Sequence, residues 1–558
     1  MARKRDGEGL KRRIEERNGI KYVYESTSEM RNGEKVSIST YIGKLDDNGD
    51  LIPKQKRMTK AEREDARKEI VVPAGAIRSK AYGNVHFLNG LQDQIGIRKD
   101  LEASFGPFGD QILALAFAQT IQPGAFSETE NVLNGTAVRE VLDVKTSLSS
   151  PGISEITRSI GEADACTDRF FDLRLNKCGN VVAWDTTTNG TYTERTGMAE
   201  WGNSKDDEKL MHIKVGLATD SRGIPVLTEL FPGSLSDVVL TRRFAARIKS
   251  SGKDFLFVAD NGFESGINIQ FLMEEGIRFA MPANVSGKAV KKLMTDFRNT
   301  ETYDRVHDGH SYRVAETQLA VVEDGGRRTS DGSQAYSYLQ PDDDRFVSSE
   351  TKIRAFVCYD SKKYSDGEQR LKIWLDSIEK QLDGKTFRNP QKEFARVAGK
   401  AVKYFDVTYE DKTVRLKRRR NAVSFADNRA GMFVMLTSPD VTWEQMMSAY
   451  DARRLTEQAF DAQKNGLDGR RFRTGDKYVA IGRFFVKMVA LIMRCEMCAR
   501  IREKKLRTTA EGILLSTGNI LAARCGNVRG LTEITKTNRE IFDAFGISRP
   551  KDEDVTNI

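Results

Sequence analysis

Two aspartates in this sequence stand directly after strand-like apolar runs, Asp185 after "VVAW" and Asp260 after "FLFVA". Open α/β sheets place their ligands beyond such strand ends. A third acid, Glu457, lies in "YDARRLTEQAFDAQK". At about 100° per residue, Tyr450, Arg453, Glu457 and Lys464 share one arc of roughly 60° on that helix. Met446 and Phe460 border the arc, so the pattern predicts that it faces the protein interior. Carboxylate oxygens suit hard divalent cations, Mg2+ above all. Two such ions about 3.5–4 Å apart can activate an attacking oxygen and stabilise a leaving one during phosphodiester displacement. The cations of the arc could grip phosphate oxygens while the carboxylate holds metal.

Each residue also has a plainer reading. An Asp followed by Thr or by Asn-Gly can serve as a turn or cap residue. Glu457 can pair with Arg453 at i,i+4, for only about 0.2–0.5 kcal/mol. Against this stands cost, because four polar groups on a buried stripe are expensive unless something satisfies them.

The elements around these residues predict a mixed α/β sheet. "NVVAWDTT", "LMHIKVGLAT" and "IPVLTELF" are β-rich runs, the last two separated by a turn in "TDSRGIP". "SDVVLTRRFAARIKSSG" is a helix with a Ser/Asp start that stops at Gly252. "DFLFVAD" is a continuous apolar strand of the buried kind, followed by a helix (SGINIQFLMEEG) and a short strand (IRFAMP). "MFVMLTS" resumes strand character, and Thr442 with Gln445 forms a capping-box pattern ahead of the Glu457 helix. Between them, residues 286–428 carry scattered β-like runs (RAFVCYD, KYFDVTY, TVRLKRRR, NAVSFA) and are expected as a β-rich insertion domain. Residues 1–90 predict a basic arm and a small β unit with a hairpin at Arg-Asn-Gly. Residues 91–177 turn helical, with Ser150 placed as a cap and Pro151 at the first helical position. They form either a DNA-reading helix-turn-helix unit or a plain helical bundle. The core is expected over 178–285 and 429–500, with a helical C-terminal region over 501–558.

The chain has 558 residues, a net charge of +9 and 30% charged residues. That length predicts several domains, and the basic balance favours a polyanionic partner, nucleic acid first and a membrane surface second. No apolar run is long enough to span a membrane, and the basic N-terminus lacks the apolar stretch of a secretory signal. A cytoplasmic, nucleoid-associated protein is the expectation. Cys495 and Cys498 form a lone CxxC on an apolar helix with none of the four histidines nearby, so small buried residues are expected and not a zinc site.

The spacing Tyr450-x2-Arg453-x3-Glu457-x6-Lys464 resembles the Tyr-Arg-Glu-Lys signature of the DDE transposases of the "insertion sequence four" type. "WDTTT" and "VADNGFESGINIQFL" resemble the family's first and second aspartate motifs. "LFPGSLSDVVLT" and "GMFVMLTS" are similar to segments between and after them, and "YVYESTSEMRNGEKVSISTYIGKL" is similar to an N-terminal region of some members. The resemblance covers about residues 178–285 and 429–500.

It implies an RNase H-like core in which Asp185, Asp260 and Glu457 hold two Mg2+ ions, with Mn2+ as a substitute. Tyr450, Arg453 and Lys464 would contact DNA phosphates, and a homodimer would assemble on DNA. It also implies an aromatic of the insertion that stacks on a flipped base where cleavage passes through a DNA hairpin. Trp374 is the only tryptophan there and so the candidate, although its segment reads as an amphipathic helix, which favours burial against the domain. Lys417, Arg418, Arg419 and Arg420, and after the signature Arg470, Arg471 and Arg473, suit backbone contacts or a solvated face. The activity implied is cleavage of transposon ends and joining of 3′ ends to target DNA. The rivals are a nuclease of the same core that never joins, a catalytically inactive DNA-binding regulator and, distantly, a glycosidase with paired carboxylates.

Overall fold

Polar–apolar alternation near the N-terminus produces an antiparallel sheet in the order β1 (Lys11–Arg17), β2 (Ile20–Arg31), β3 (Glu34–Leu45) and β4 (Leu51–Pro53). The structure is a computed structural model. It describes residues 11–558 except 18–19, 32–33, 47–48, 55–76, 147, 203–208, 286, 329–333, 348–350, 527 and 557. β2 and β3 pair from Tyr22↔Lys44 to Arg31↔Glu34, as a hairpin requires, while its expected Asn-Gly turn and the basic arm over 1–10 lie outside the described residues. Met1–Ala76 is one compact unit and Ile77–Ile558 another.

In the second unit, β5 (Ile77–Ala81) is followed by helices through Lys177 and then by β6 (Val181–Thr191), β7 (Met211–Asp220) and β8 (Pro225–Pro232), an antiparallel meander. β9 (Leu256–Ala259) and β10 (Arg278–Pro282) run parallel to β6 on its other side. Alternation then assigns each face. Val182 and Trp184 of β6 and Phe257 of β9 enter the core that holds Phe244, from the helix Asp237–Ser250. Trp184 stacks on Phe244 at 3.6 Å, and Gly216 leaves room for it, since a Cβ there would stand 2.1 Å from the indole. Ala183, Leu256 and Val258 face the other way, against Met446, Ala449 and Ala452 of the helix Trp443–Asp461. By period two, Asp185 and Asp260 fall on this second face.

Several expectations need correction. Asp185 does not close its strand, because the β-branched run after it keeps pairing with β7 as far as Thr191↔Met211. The segment expected as a separate β-rich insertion joins the main sheet. β11 (Tyr303–His307), β12 (His310–Arg328), β13 (Gln334–Leu339) and β14 (Lys352–Asp360) extend it, and β17 (Met432–Thr437) closes β14 onto β10. Only residues 361–427 keep a core of their own, around Leu375, Ile378, Phe394 and Phe405. It holds β15 (Phe405–Glu410), β16 (Thr413–Arg418) and the helix Arg420–Asp427, where "NAVSFA" suggested a strand. Val423 supplies that helix's apolar contact to this core, so tertiary packing overrides local β preference. The last region is not purely helical: β19 (Leu521–Cys525) pairs with β20 (Val528–Leu531) and with β5, a contact too non-local to read from sequence. β18 (Arg471–Phe472) extends the main sheet beside the far end of β6.

The helix at residue 150 also starts differently. Ser149 is the N-cap residue, and the Ser150 amide donates to Glu130 Oε2 at 3.0 Å. This helix, Ser150–Glu162, packs along Lys477–Glu503 through glycine on each partner. A Cβ on Gly482 would lie 1.7 Å from the Thr157 carbonyl oxygen, and one on Gly161 would lie 1.9 Å from that of Tyr478. Cys495 is buried and Cys498 partly so, both free thiols, and burial pushes both thiols up. The Thr442–Gln445 capping box is formed in both directions. No helix among the described residues is long and apolar enough to cross a membrane.

The long helix is tied to the β7–β8 turn by ions. Arg222 donates to Glu496 through both terminal nitrogens, at 3.0 and 3.1 Å, and Arg500 Nε adds a bond of 2.7 Å. Burial alone would raise the Glu496 carboxyl, but the hydrogen bonds from Arg500 and Arg222 outweigh it and hold it below the usual glutamate range. A depressed carboxyl stabilises the fold above its unfolded pKa, and that contribution disappears as pH falls through the folded value. Glu496→Gln is therefore expected to lose about 3 kcal/mol at pH 7. In urea titrations its deficit should shrink towards zero below the ordinary glutamate range, and a deficit independent of pH would refute the ionic account.

Candidate metal and nucleic-acid site

β9 ends at Ala259, in register with Trp184, so Asp260 and Asp185 follow side by side on adjacent parallel strands. β6 continues there without β9, and the two carboxylates sit at the step this leaves in the sheet. Each Oδ1 accepts from the next amide, Thr186 at 2.7 Å and Asn261 at 2.6 Å, which fixes the side chains close to the backbone. Both residues are half-buried.

Glu457 reaches this place from the helix above. Arg453 Nη2 donates to Glu457 Oε1 at 2.7 Å, and Arg453 Nε lies 3.1 Å from Asp260 Oδ1. The first contact is the i,i+4 pair expected from sequence. The second is a charge contact off the hydrogen-bond direction, so the Nε proton is left without an acceptor in line with it. One guanidinium thus spans acids from two distant segments.

The signature arc does not point into the core. Ala449, Ala452, Thr456 and Ala459 are the buried side, and Thr456 Oγ1 meets Thr219 Oγ1 of β7 at 2.7 Å. Three alanines let the helix sit close on the sheet, and the arc lies roughly a quarter turn away, on the flank over the strand ends. Glu457 is 51% exposed in its side chain and Arg453 23%, a solvent-facing margin rather than a buried stripe. Lys464 departs further, because the α-helix stops at Asp461 and residues Ala462–Gly466 form a π turn. Such turns recur at functional sites.

Tyr450 is half-buried, stacked on Phe433 at 5.2 Å, and its hydroxyl accepts from Lys363 Nζ at 3.0 Å. Lys363 and Phe433 had no signal in the sequence, since only the pairing of β14 with β17 brings them to the helix. His307 of β11 likewise bonds Asp451, at 2.6 Å.

The remaining basic residues divide. Arg418 is paired with Glu379 and Asp376, Arg419 with Asp406 at 2.7 Å, and Arg473 with Asp468 through two bonds of 2.5 and 2.9 Å. These three are neutralised within the chain. Lys417 and Arg420 are exposed, with no ion pair among the described residues. Arg470 Nε donates to Asn465, and Arg471 lies over the Tyr192 ring at 4.9 Å. Trp374, on the helix Ser361–Leu382, remains 40% exposed with one edge contact to Tyr404 at 6.3 Å, so burial accounts for only part of the ring.

The donor set fits divalent metal in kind, being carboxylate oxygens, those of Asp260 and Glu457 already sharing a cation. Among the described residues, no three His, Cys, Asp or Glu side chains are grouped as a preformed metal site. Arg453 occupies the place between Asp260 and Glu457.

Acids at the step between two interior strands of a large mixed sheet, with Glu457 and Arg453 brought to them by a helix packed on the same face, define an α/β protein with an acidic site on one sheet face. The family model described as Transposase DDE domain matches residues 176–493, more than half of the chain, and the chain belongs to that family. The matched range contains both aspartates, Glu457 and everything between them. Membership implies a metal-dependent nuclease or transferase with DNA as its partner. No curated protein matches the chain.

Proposed function

We propose that the protein is a cut-and-paste DNA transposase that binds the terminal inverted repeats of its element, cleaves the ends and joins the 3′ ends to target DNA. The observation that carries this reading is the single guanidinium of Arg453 spanning Asp260 and Glu457, with Asp185 on the adjoining strand. The sheet order β8-β7-β6-β9-β10, three antiparallel strands then two parallel, supports an RNase H-like core. The Tyr-Arg-Glu-Lys spacing supports the "insertion sequence four" type.

In this reading Asp185, Asp260 and Glu457 hold two Mg2+ ions, with Mn2+ as a substitute. When bound, these ions activate the attacking oxygen and stabilise the leaving one in an in-line displacement. The chain's own cations do the rest. Arg453 turns from the acids to a DNA phosphate, Lys464 grips a second, and the Tyr450 hydroxyl, oriented by Lys363, hydrogen-bonds a third. Lys417, Arg420 and Arg471 add backbone contacts, and Trp374 offers a ring face for an unstacked base. The same site serves water first and the freed 3′-hydroxyl afterwards, and a homodimer handles the two ends.

The test is incubation of end duplexes, labelled at the 5′ end of the strand whose 3′ end is to be joined, and supercoiled plasmid with the protein in Mg2+. Label joined to plasmid is the expected result. Cleaved but unjoined ends would favour the nuclease, and intact DNA would leave the inactive regulator.

A further inference from the structure

A cavity of about 310 Å³ lies between the end of the π turn, the long helix Lys477–Glu503 and the Phe126 loop. Four cations line it, Arg471, Arg473, Arg483 and Lys487, against one acid, Asp468. Asp468 is already spent on Arg473. No ion pair among the described residues reaches Arg483 or Lys487. Arg483 donates through Nη2 to Ser154 Oγ at 3.2 Å, yet its Nε is buried with no partner. Lys487 Nζ donates to the carbonyls of Leu467 and Asp468, both at 2.8 Å, which explains why it holds the turn but leaves its charge uncompensated. Burial pushes Lys487 down to about 8, against the pull of Asp468 and with Arg473 and Arg483 adding to it. Burial also pushes Arg483 down.

The apolar part of the lining is aromatic. Phe126 lies beneath Arg483 at 5.3 Å and Lys487 at 5.9 Å, and Phe472 and Phe484 are neighbours at 6.0 Å. Arg483 and Lys487 are partly buried, and cations so placed without counter-charge are costly and persist where an anion completes them. The volume is at the small end of ligand pockets, enough for one compact unit. The cavity is also separate from the acids. β18 meets β6 at Gly190, five residues beyond Asp185 and therefore about 17 Å along the strand.

We propose that this cavity is a second, metal-independent binding site that takes a phosphate group together with its attached ring, that is, a single nucleotide unit. Arg483 and Lys487 hold the phosphate, and the phenylalanines pack the ring. The source is either a free nucleotide or one unit of a nucleic-acid strand.

The test uses the full chain in chelator, so that cleavage plays no part and its success is independent of the transposase reading. Calorimetric titration with thymidine 5′-monophosphate is expected to show one site, at least tenfold tighter than inorganic phosphate. Arg483→Gln should weaken it tenfold or more, Arg483→Lys should retain most of it, and Lys536→Ala, at a remote exposed residue, should leave it unchanged. If Arg483→Gln does not fold, protection of Lys487 from amine acetylation by the nucleotide gives the same reading on the parent protein. A 5′-phosphorylated oligonucleotide that competes identifies a strand as the source, and one that does not identifies a free nucleotide. Absence of binding at millimolar nucleotide, or equal binding by Arg483→Gln, overturns the proposal.

Discussion

Glu457→Gln and Asp185→Asn are expected to lower Mg2+-dependent nicking of an end duplex on the order of a thousandfold or more, while binding of that duplex stays nearly intact. The carboxamides keep size and shape. The Thr186 amide can still donate to the side-chain oxygen at 185, and the helix carrying residue 457 is held by its alanine face and not by the glutamate. What disappears is one negative charge at the site where divalent ions would be held. Glu457→Gln also frees Arg453 from one of its two acids, so end binding in chelator should be equal or slightly tighter. Gel shifts without metal and cleavage gels with it separate the two effects. Full retention of nicking by either variant would remove the site assignment.

Gly482→Ala is expected to destabilise the fold by about 3 kcal/mol, near the upper end of overpacking costs. The added methyl would meet the backbone of Thr157, not a side chain that can rotate away, so the two helices must separate along their crossing. In a helix interior alanine is ordinarily better than glycine by about 1 kcal/mol, so propensity alone predicts the opposite sign. Gly135→Ala serves as the control, because nothing lies within 4 Å of a Cβ there. Thermal denaturation followed by circular dichroism should show a clear fall for residue 482 and almost none for residue 135.

The sequence was most legible where period and chemistry agreed. "DFLFVAD" could only be a buried strand, and alternation along it puts Asp260 on the same face as Asp185. The capping box at Thr442 was readable because both its bonds are local. Legibility failed where partners are remote. The strand at 521–525 finds β5 more than four hundred residues earlier, and no local signal encodes that. The Thr-rich continuation of β6 reads as the end of a strand because polarity masks its β-branched character. The signature arc lies one face further out than its apolar borders predict. Met446 and Phe460 suggested the centre of the buried side, while the small residues Ala449, Ala452, Thr456 and Ala459 mark it. Lys464 could not be placed by helical projection, since the π turn changes the period before it. The basic residues were visible as charge, but their neutralisation by Glu379, Asp376, Asp406 and Asp468 depends on packing.

The segment from 361 to 431 leaves and re-enters the sheet at one point: Tyr359 of β14 faces Met432 of β17, and the Asp360 amide bonds the Gly431 carbonyl at 2.9 Å. Its two ends are thus already as close as those of a hairpin. Such a cassette can be enlarged, exchanged or trimmed to a short turn without shifting the register of any strand that carries an acid. Trp374, Lys417 and Arg420 travel with the cassette, whereas Asp185, Asp260 and Glu457 do not. Under the proposed function, such changes would alter the contacts made to DNA and leave the acidic site as it is.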